Sequence, residues 1–270
     1  MQESDYQKLL DVLIAVTEAN KGVPAGDDDR VLDAEGLALK FFFHAASALY
    51  LYRSTSLPEF GASFLDSGSV NVLCRAAIET FLVFHHVFVE PQSDDECDCR
   101  YMAWVLAGYL ERQKLPVWSA EGKAALQCEA RLISPLTEKL KANAVYRGLS
   151  AAHQKKLLKG KWRLRSWTEI GRSSGLHDVY AKAFYSYLCG YAHAGNLSVL
   201  QMRQADTAEF QRSLCASSMN LVLIAMASMV QSYCTVFPKA MDRLSQEPDG
   251  AGLVNVWAGV GSTAPTTILE

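Results

Sequence analysis

Arg75, Glu79, Arg100, Tyr187 and His193 are the side chains of this chain whose types and spacing suit a polar pocket. Arg75 and Glu79 are four residues apart, and His86 follows one heptad after Glu79, so all three share a helix face. Their neighbours Val72, Leu73, Ala76, Ile78, Leu82 and Val83 are apolar. Charges inside such a run are costly unless paired. Arg75 and Glu79 therefore form either a structural ion pair or the wall of a pocket. Arg100, Trp104, Gly108 and Arg112 recur at spacings of four. That places them on one face, where guanidinium can stack on indole, or where Arg100 joins Glu79. Three tyrosines and one histidine crowd residues 185–193, with Gly190 and Gly195 on either side of His193. Tyr187 and Tyr191 point together, and a histidine at a helix C-terminus is favoured as the imidazolium. The competing reading of His193 is a hydrogen-bonded structural residue.

Residues 153–172 carry Lys155, Lys156, Lys159, Lys161, Arg163, Arg165 and Arg172 against Glu169 alone, with Trp162 and Trp167 interleaved. This is either a track for RNA, with cations on phosphate and indoles on bases, or a solvated connector that docks its tryptophans on the core. His44, His85, His86, His177 and His193 lack the spacings of metal-binding helices, and Cys97-Asp-Cys99 reads as a helix start. No metal and no cofactor is assigned.

The elements that must position these groups read as helices. Tyr6, Leu9, Leu10, Leu13, Ile14 and Val16 give an amphipathic helix over 5–19. Val23–Asp29 is a loop, and a largely apolar helix follows over 34–53, stopped at Leu57-Pro58. A helix over 69–89 ends at Glu90-Pro91. Ser93 and Glu96 then form a capping box for a helix to Lys114. Further helices are expected over 119–141, interrupted near Pro135, over 177–192 and over 207–237, with short ones in 147–176. No strand alternation and no repeat is visible. The tail from 243 to 270 is rich in Gly, Ser, Thr and Pro and reads as extended or mobile. The expected fold is all-α: a bundle of roughly seven to nine helices, residues 1–242, as a single domain with a flexible C-terminal tail.

The chain of 270 residues is half hydrophobic and one-fifth charged, with a net charge of −3, so no global basic field draws it to nucleic acid or membrane. Seven cysteines, an odd number with no Cys-x-x-Cys pair, fit a reduced cytoplasm. The N-terminus has no secretory signal pattern. Residues 213–237 carry no charge and are long enough to span a bilayer. However, Ser213, Ser217, Asn220, Ser228, Gln231 and Thr235 stripe one face, which suits a buried helix of a soluble protein or a dimer contact.

The order of Ser69, Asn71, Arg75 and Glu79, then Arg100 and Trp104, Trp162, Tyr180, Tyr187 and His193 resembles a bacterial helical family that is a domain of unknown function. The resemblance covers about residues 65–200 and implies no established activity. Families of this kind are distantly similar to the HEPN nucleases, whose signature is Arg-x4–6-His at a helix start. Arg172 to His177 fits that spacing, as does Arg147 to His153. The resemblance implies that His177, or His193 with Arg100, would take a proton from a ribose hydroxyl while Arg172 steadies the phosphate, without metal. Three functions follow as expectations. One is a small-ligand-binding, sensor or defence-associated module using Arg75, Glu79, Arg100, Tyr187 and His193. The second is a HEPN-like endoribonuclease acting on RNA. The third is a structural or interaction protein, with a homodimer as its simplest form.

Overall fold

The computed structural model of the chain describes residues 2–24, 26, 29–193 and 195–264. The fold is all-α, with thirteen helices among the described residues and one short hairpin. They fall into two compact units, residues 1–85 with 167–270, and residues 86–166. The larger unit is discontinuous in sequence, and the smaller one is inserted between its halves.

The larger unit contains α1 (Glu3–Glu18), α2 (Asp29–Arg53), α3 (Ser67–Phe84), α8 (Trp167–Ser173), α9 (Asp178–Ala192), α10 (Asn196–Gln204), α11 (Ala208–Val236), α12 (Pro238–Ser245) and α13 (Pro248–Ser262). Its centre is α11, fifteen of whose residues are buried, including Met219, Val222, Met226, Val230 and Tyr233. The serine-rich stripe of α11 is its outer face: Ser213, Ser217, Gln231 and Thr235 are exposed. Two of its inner polar groups find partners across the core. Ser218 donates to Asn71, and Asn20 Nδ2 donates to the Tyr233 hydroxyl at 2.9 Å. Both α11 and residues 67–89 are long and apolar enough to cross a membrane, and two-thirds of the most apolar window of α11 is buried inside the molecule. In α1 the expected apolar face is buried, with Tyr6 donating its hydroxyl to Ala45 O at 2.9 Å, but Ile14 is exposed.

Three expectations are corrected in this unit. Where the chain breaks after α2, Thr55–Leu57 (β1) and Ala62–Phe64 (β2) pair antiparallel, turning at Gly61 with φ +57°. Segments too short to show periodicity form separate helices, which takes the number beyond nine. The tail from 243 to 262 is helical rather than extended, with Pro238 and Pro248 in the first turns of α12 and α13. Its glycines let helices approach closely: a Cβ on Gly261 would stand 2.3 Å from Ile224 Cγ2 on α11. Residues 265–270 lie outside the described residues.

The smaller unit begins in a π-helical turn, His85–Val89, and contains α4 (Asp94–Arg112), α5 (Ala120–Ala142), α6 (Ala144–Gly148) and α7 (Ala151–Leu158). Each of the four helices starts at a side-chain cap, with Ser93, Ser119, Asn143 and Ser150 each accepting from the backbone N–H three residues on. Pro135 sits inside a continuous α5 rather than interrupting it. The core joins Cys99, Ala103 and Leu106 of α4 to Leu140, Tyr146 and Leu157, with Trp162 and Leu164 of the connector packed against it.

Candidate functional site

The densest polar constellation in the smaller unit is built on two short-range pairs and one long-range arm. His86 and Glu90 are four residues apart on the π-helical turn, as are Glu96 and Arg100 on α4. Ser93 fixes the start of α4 by accepting from Glu96 N at 3.2 Å, and Glu96 Oε2 reaches back to accept from Gln92 N at 2.9 Å. This holds Glu96 with its other oxygen facing Arg100. The arm is the connector after α7, which brings Arg165 across 75 residues of sequence to Glu90.

Glu90 is the hub. Its Oε2 accepts from both Arg100 and Arg165 and lies 2.9 Å from His86 Nδ1. Arg100 Nη1 also donates to His86 O at 2.8 Å, and its Nη2 pairs with Glu96. Two guanidiniums thus meet two carboxylates, so the cluster is neutral when His86 is neutral. Burial holds it so. His86 is 7% exposed, and desolvation, aided by the charges of Arg100 and Arg165, outweighs Glu90 and pushes its pKa down to about 4. The Cys99 thiol nearby is pushed up to about 11 by burial.

Beside this cluster lies a cavity of about 200 Å³. One wall is polar, made by His86, Glu96, Arg100 and Arg165. The other is apolar, made by Val145, Leu149, Leu157 and Leu164, with Trp162 tilted against the His86 ring at 6.0 Å between centroids. Arg165 spends one nitrogen, Nη2, on Glu90 and His86. Its Nε and Nη1 donors have no partner among the described residues, and the side chain is 34% exposed.

The larger unit holds the remaining candidates. Arg75 Nε pairs with Glu79 at 2.9 Å, and Arg75 Nη1 lies 3.5 Å from His193 Nε2. These three do come together, and His193 ends α9 as an exposed residue. Tyr187 stands edge-on to Tyr191 at 5.6 Å, but its hydroxyl donates to Leu214 O, and that of Tyr191 to Gln201 at 2.8 Å. The glycines around His193 make the turn into α10: Gly195 N donates to Gly190 O at 2.7 Å, and a Cβ on Gly195 would meet that backbone at 3.2 Å. Ala194 and the side chain of Tyr185 lie outside the described residues. Arg100, assigned with these residues from sequence, belongs to the other unit and is engaged there by Glu90 and Glu96.

Arg172 and His177 are also committed. Arg172 pairs with Asp178, which Lys182 holds from its other side at 2.6 Å. His177 is the N-cap of α9, its Nδ1 accepting from Val179 N at 3.3 Å. Of the basic connector, Lys155, Lys156, Lys159 and Lys161 are exposed, while Arg163 donates to Arg165 O at 2.9 Å. The expected Arg–Trp–Arg ladder on α4 is not how these residues pack. Arg100 and Arg112 turn to Glu96 and Glu129, and Trp104 meets Phe88 and Tyr101. No group of three metal-ligating side chains occurs among the described residues.

Sequence reasoning passed over Glu90, Arg165 and the second role of His86. Glu90 was read as a helix stop and Arg165 as one cation among seven. The available signal was the pair of i, i+4 spacings, His86–Glu90 and Glu96–Arg100, separated by a single turn.

No protein-family model matches the chain, and no curated protein or solved structure matches it either. The family and nuclease resemblances rest on the residues quoted for them.

Proposed function

We propose that the protein is a small-ligand-binding helical module of the sensor or defence-associated kind, and that the cavity within residues 86–166 is its binding site. The observation that carries this reading is the two-sided cavity, with paired charges along one wall and leucines with Trp162 along the other. Binding pockets combine a largely apolar lining with a few placed polar groups in this way. The reactive side chains around it are quiet at neutral pH. With a pKa of about 4, His86 is a weak base, and with a pKa of about 11, Cys99 stays a thiol. These properties favour holding a ligand over transforming one. Seven free thiols support placing the protein in the cytoplasm.

A thermal-shift screen of the intact chain against single-ring acids, amides and alcohols tests the reading. A ligand present at a hundred times its Kd stabilises by about 2.7 kcal/mol. Hits should move backbone amide resonances of Leu149, Leu157 and Leu164. Hits that leave those amides unmoved would place binding elsewhere and remove the proposal.

A further inference from the structure

The cavity itself narrows the ligand class. Its volume of about 200 Å³ admits a single ring, since an apolar cavity of about 150 Å³ holds benzene. The Trp162 indole offers a face or edge to such a ring, and Leu149, Leu157 and Leu164 enclose it. The polar wall carries two guanidiniums and one carboxylate, Arg100, Arg165 and Glu96. Arg100 is consumed: Nη1 serves Glu90 and His86 O, and Nη2 serves Glu96. Arg165 is not, because its Nε and Nη1 donors have no protein partner among the described residues while its Nη2 is anchored on Glu90. Both in-plane forks of a guanidinium use Nη2, so an incoming acceptor meets Nε or Nη1 singly, and a carboxylate oxygen gains most from such a charge-assisted bond.

We propose that this cavity takes a single-ring organic carboxylate, with one carboxylate oxygen accepting from a free donor of Arg165 and its ring against Trp162 and the leucine wall. The inference rests on the binding role argued above and adds the chemical class. The ring supplies apolar burial, and Arg165 supplies selection for the anion. Glu96 and Glu90, already held by Arg100, are kept from repelling it.

The test is calorimetric titration of the intact protein with phenylacetate and with its neutral analogue 2-phenylethanol. Phenylacetate should bind roughly tenfold to a hundredfold more tightly, the worth of a charge-assisted hydrogen bond. In Arg165→Met that preference should vanish, so that the two compounds bind with similar strength. Arg165→Met leaves Glu90 paired with Arg100, and circular dichroism checks that it folds. Arg165→Lys, which keeps the charge and a donor, gives a second reading and should keep part of the preference. If both compounds bind equally and neither variant alters the ratio, the carboxylate assignment is overturned and the cavity's binding role stands. If neither compound binds the wild-type chain, the class is overturned. If the broader screen is silent too, so is the binding role.

Discussion

Arg75–Glu79 in one unit and Arg100–Glu90–Arg165 in the other use the same two residue types and behave differently. The first is one guanidinium and one carboxylate at helical spacing, with His193 exposed at its edge. The second places one carboxylate oxygen under two guanidiniums, next to a histidine at 7% exposure. The first pair balances its own charge at 16% and 27% side-chain exposure. The three-residue arrangement balances only because Glu96 takes the second hand of Arg100, so removing Glu90 leaves two guanidiniums to one carboxylate. Shared chemistry thus yields a brace along one helix in one case and a cavity wall that ties distant segments together in the other. The difference lies in how many charges depend on one carboxylate, since a partly buried charge left unpaired is costly.

The largest expected effect follows from that contrast. Glu90→Gln strips the hub from Arg100 and Arg165 and should cost about 3–5 kcal/mol, the range for breaking a buried pair. Glu79→Gln should cost less, because it releases one guanidinium rather than two and leaves an amide oxygen to accept from Arg75. Urea unfolding followed by circular dichroism measures both. Equal losses would erase the distinction between the two clusters.

Next in size is a pH effect at His86; burial lowers the pKa of His44 in the larger unit too, so a variant is needed to separate them. The His86 pKa, about 4 when folded, lies below the ordinary histidine value of about 6.5. Between these values the unfolded chain binds the proton and the folded one does not, so stability rises with pH. The contribution is complete above about pH 6.5 and is lost as pH falls towards 4, with a slope of up to about 1.4 kcal/mol per pH unit. His86→Gln should flatten that slope. An unchanged slope in the variant would mean that His86 is not held neutral by burial.

Local rules made some of this legible. The Ser93–Glu96 cap and the inner face of α1 follow from nearest-neighbour physics, and both are present. Arg75, Glu79 and His193 were grouped from spacing and do meet. Glu90 and Arg165 were not legible as partners, because a contact spanning 75 residues leaves no periodic trace. Helix α13 was hidden for another reason. Its glycines read as flexibility, whereas Gly250 and Gly261 are buried where helices approach one another, and that role depends on the neighbours Val12 and Ile224.

The smallest expected effect is the one at the residue with the most conspicuous sequence. His193 is exposed, and its contact with Arg75 is at the limit of a hydrogen bond, 3.5 Å, while Arg75 already holds Glu79. Its removal leaves Arg75 paired with Glu79, so His193→Ala should change stability by no more than about 0.5 kcal/mol. The same substitution at His86 should cost several times more, since it empties a ring-sized space beside Trp162 and two guanidiniums. Paired denaturation curves of His193→Ala and His86→Ala decide the matter. A large loss at His193 would show that the Arg75–Glu79 pair depends on its contact with His193, and would move functional attention back to the end of α9.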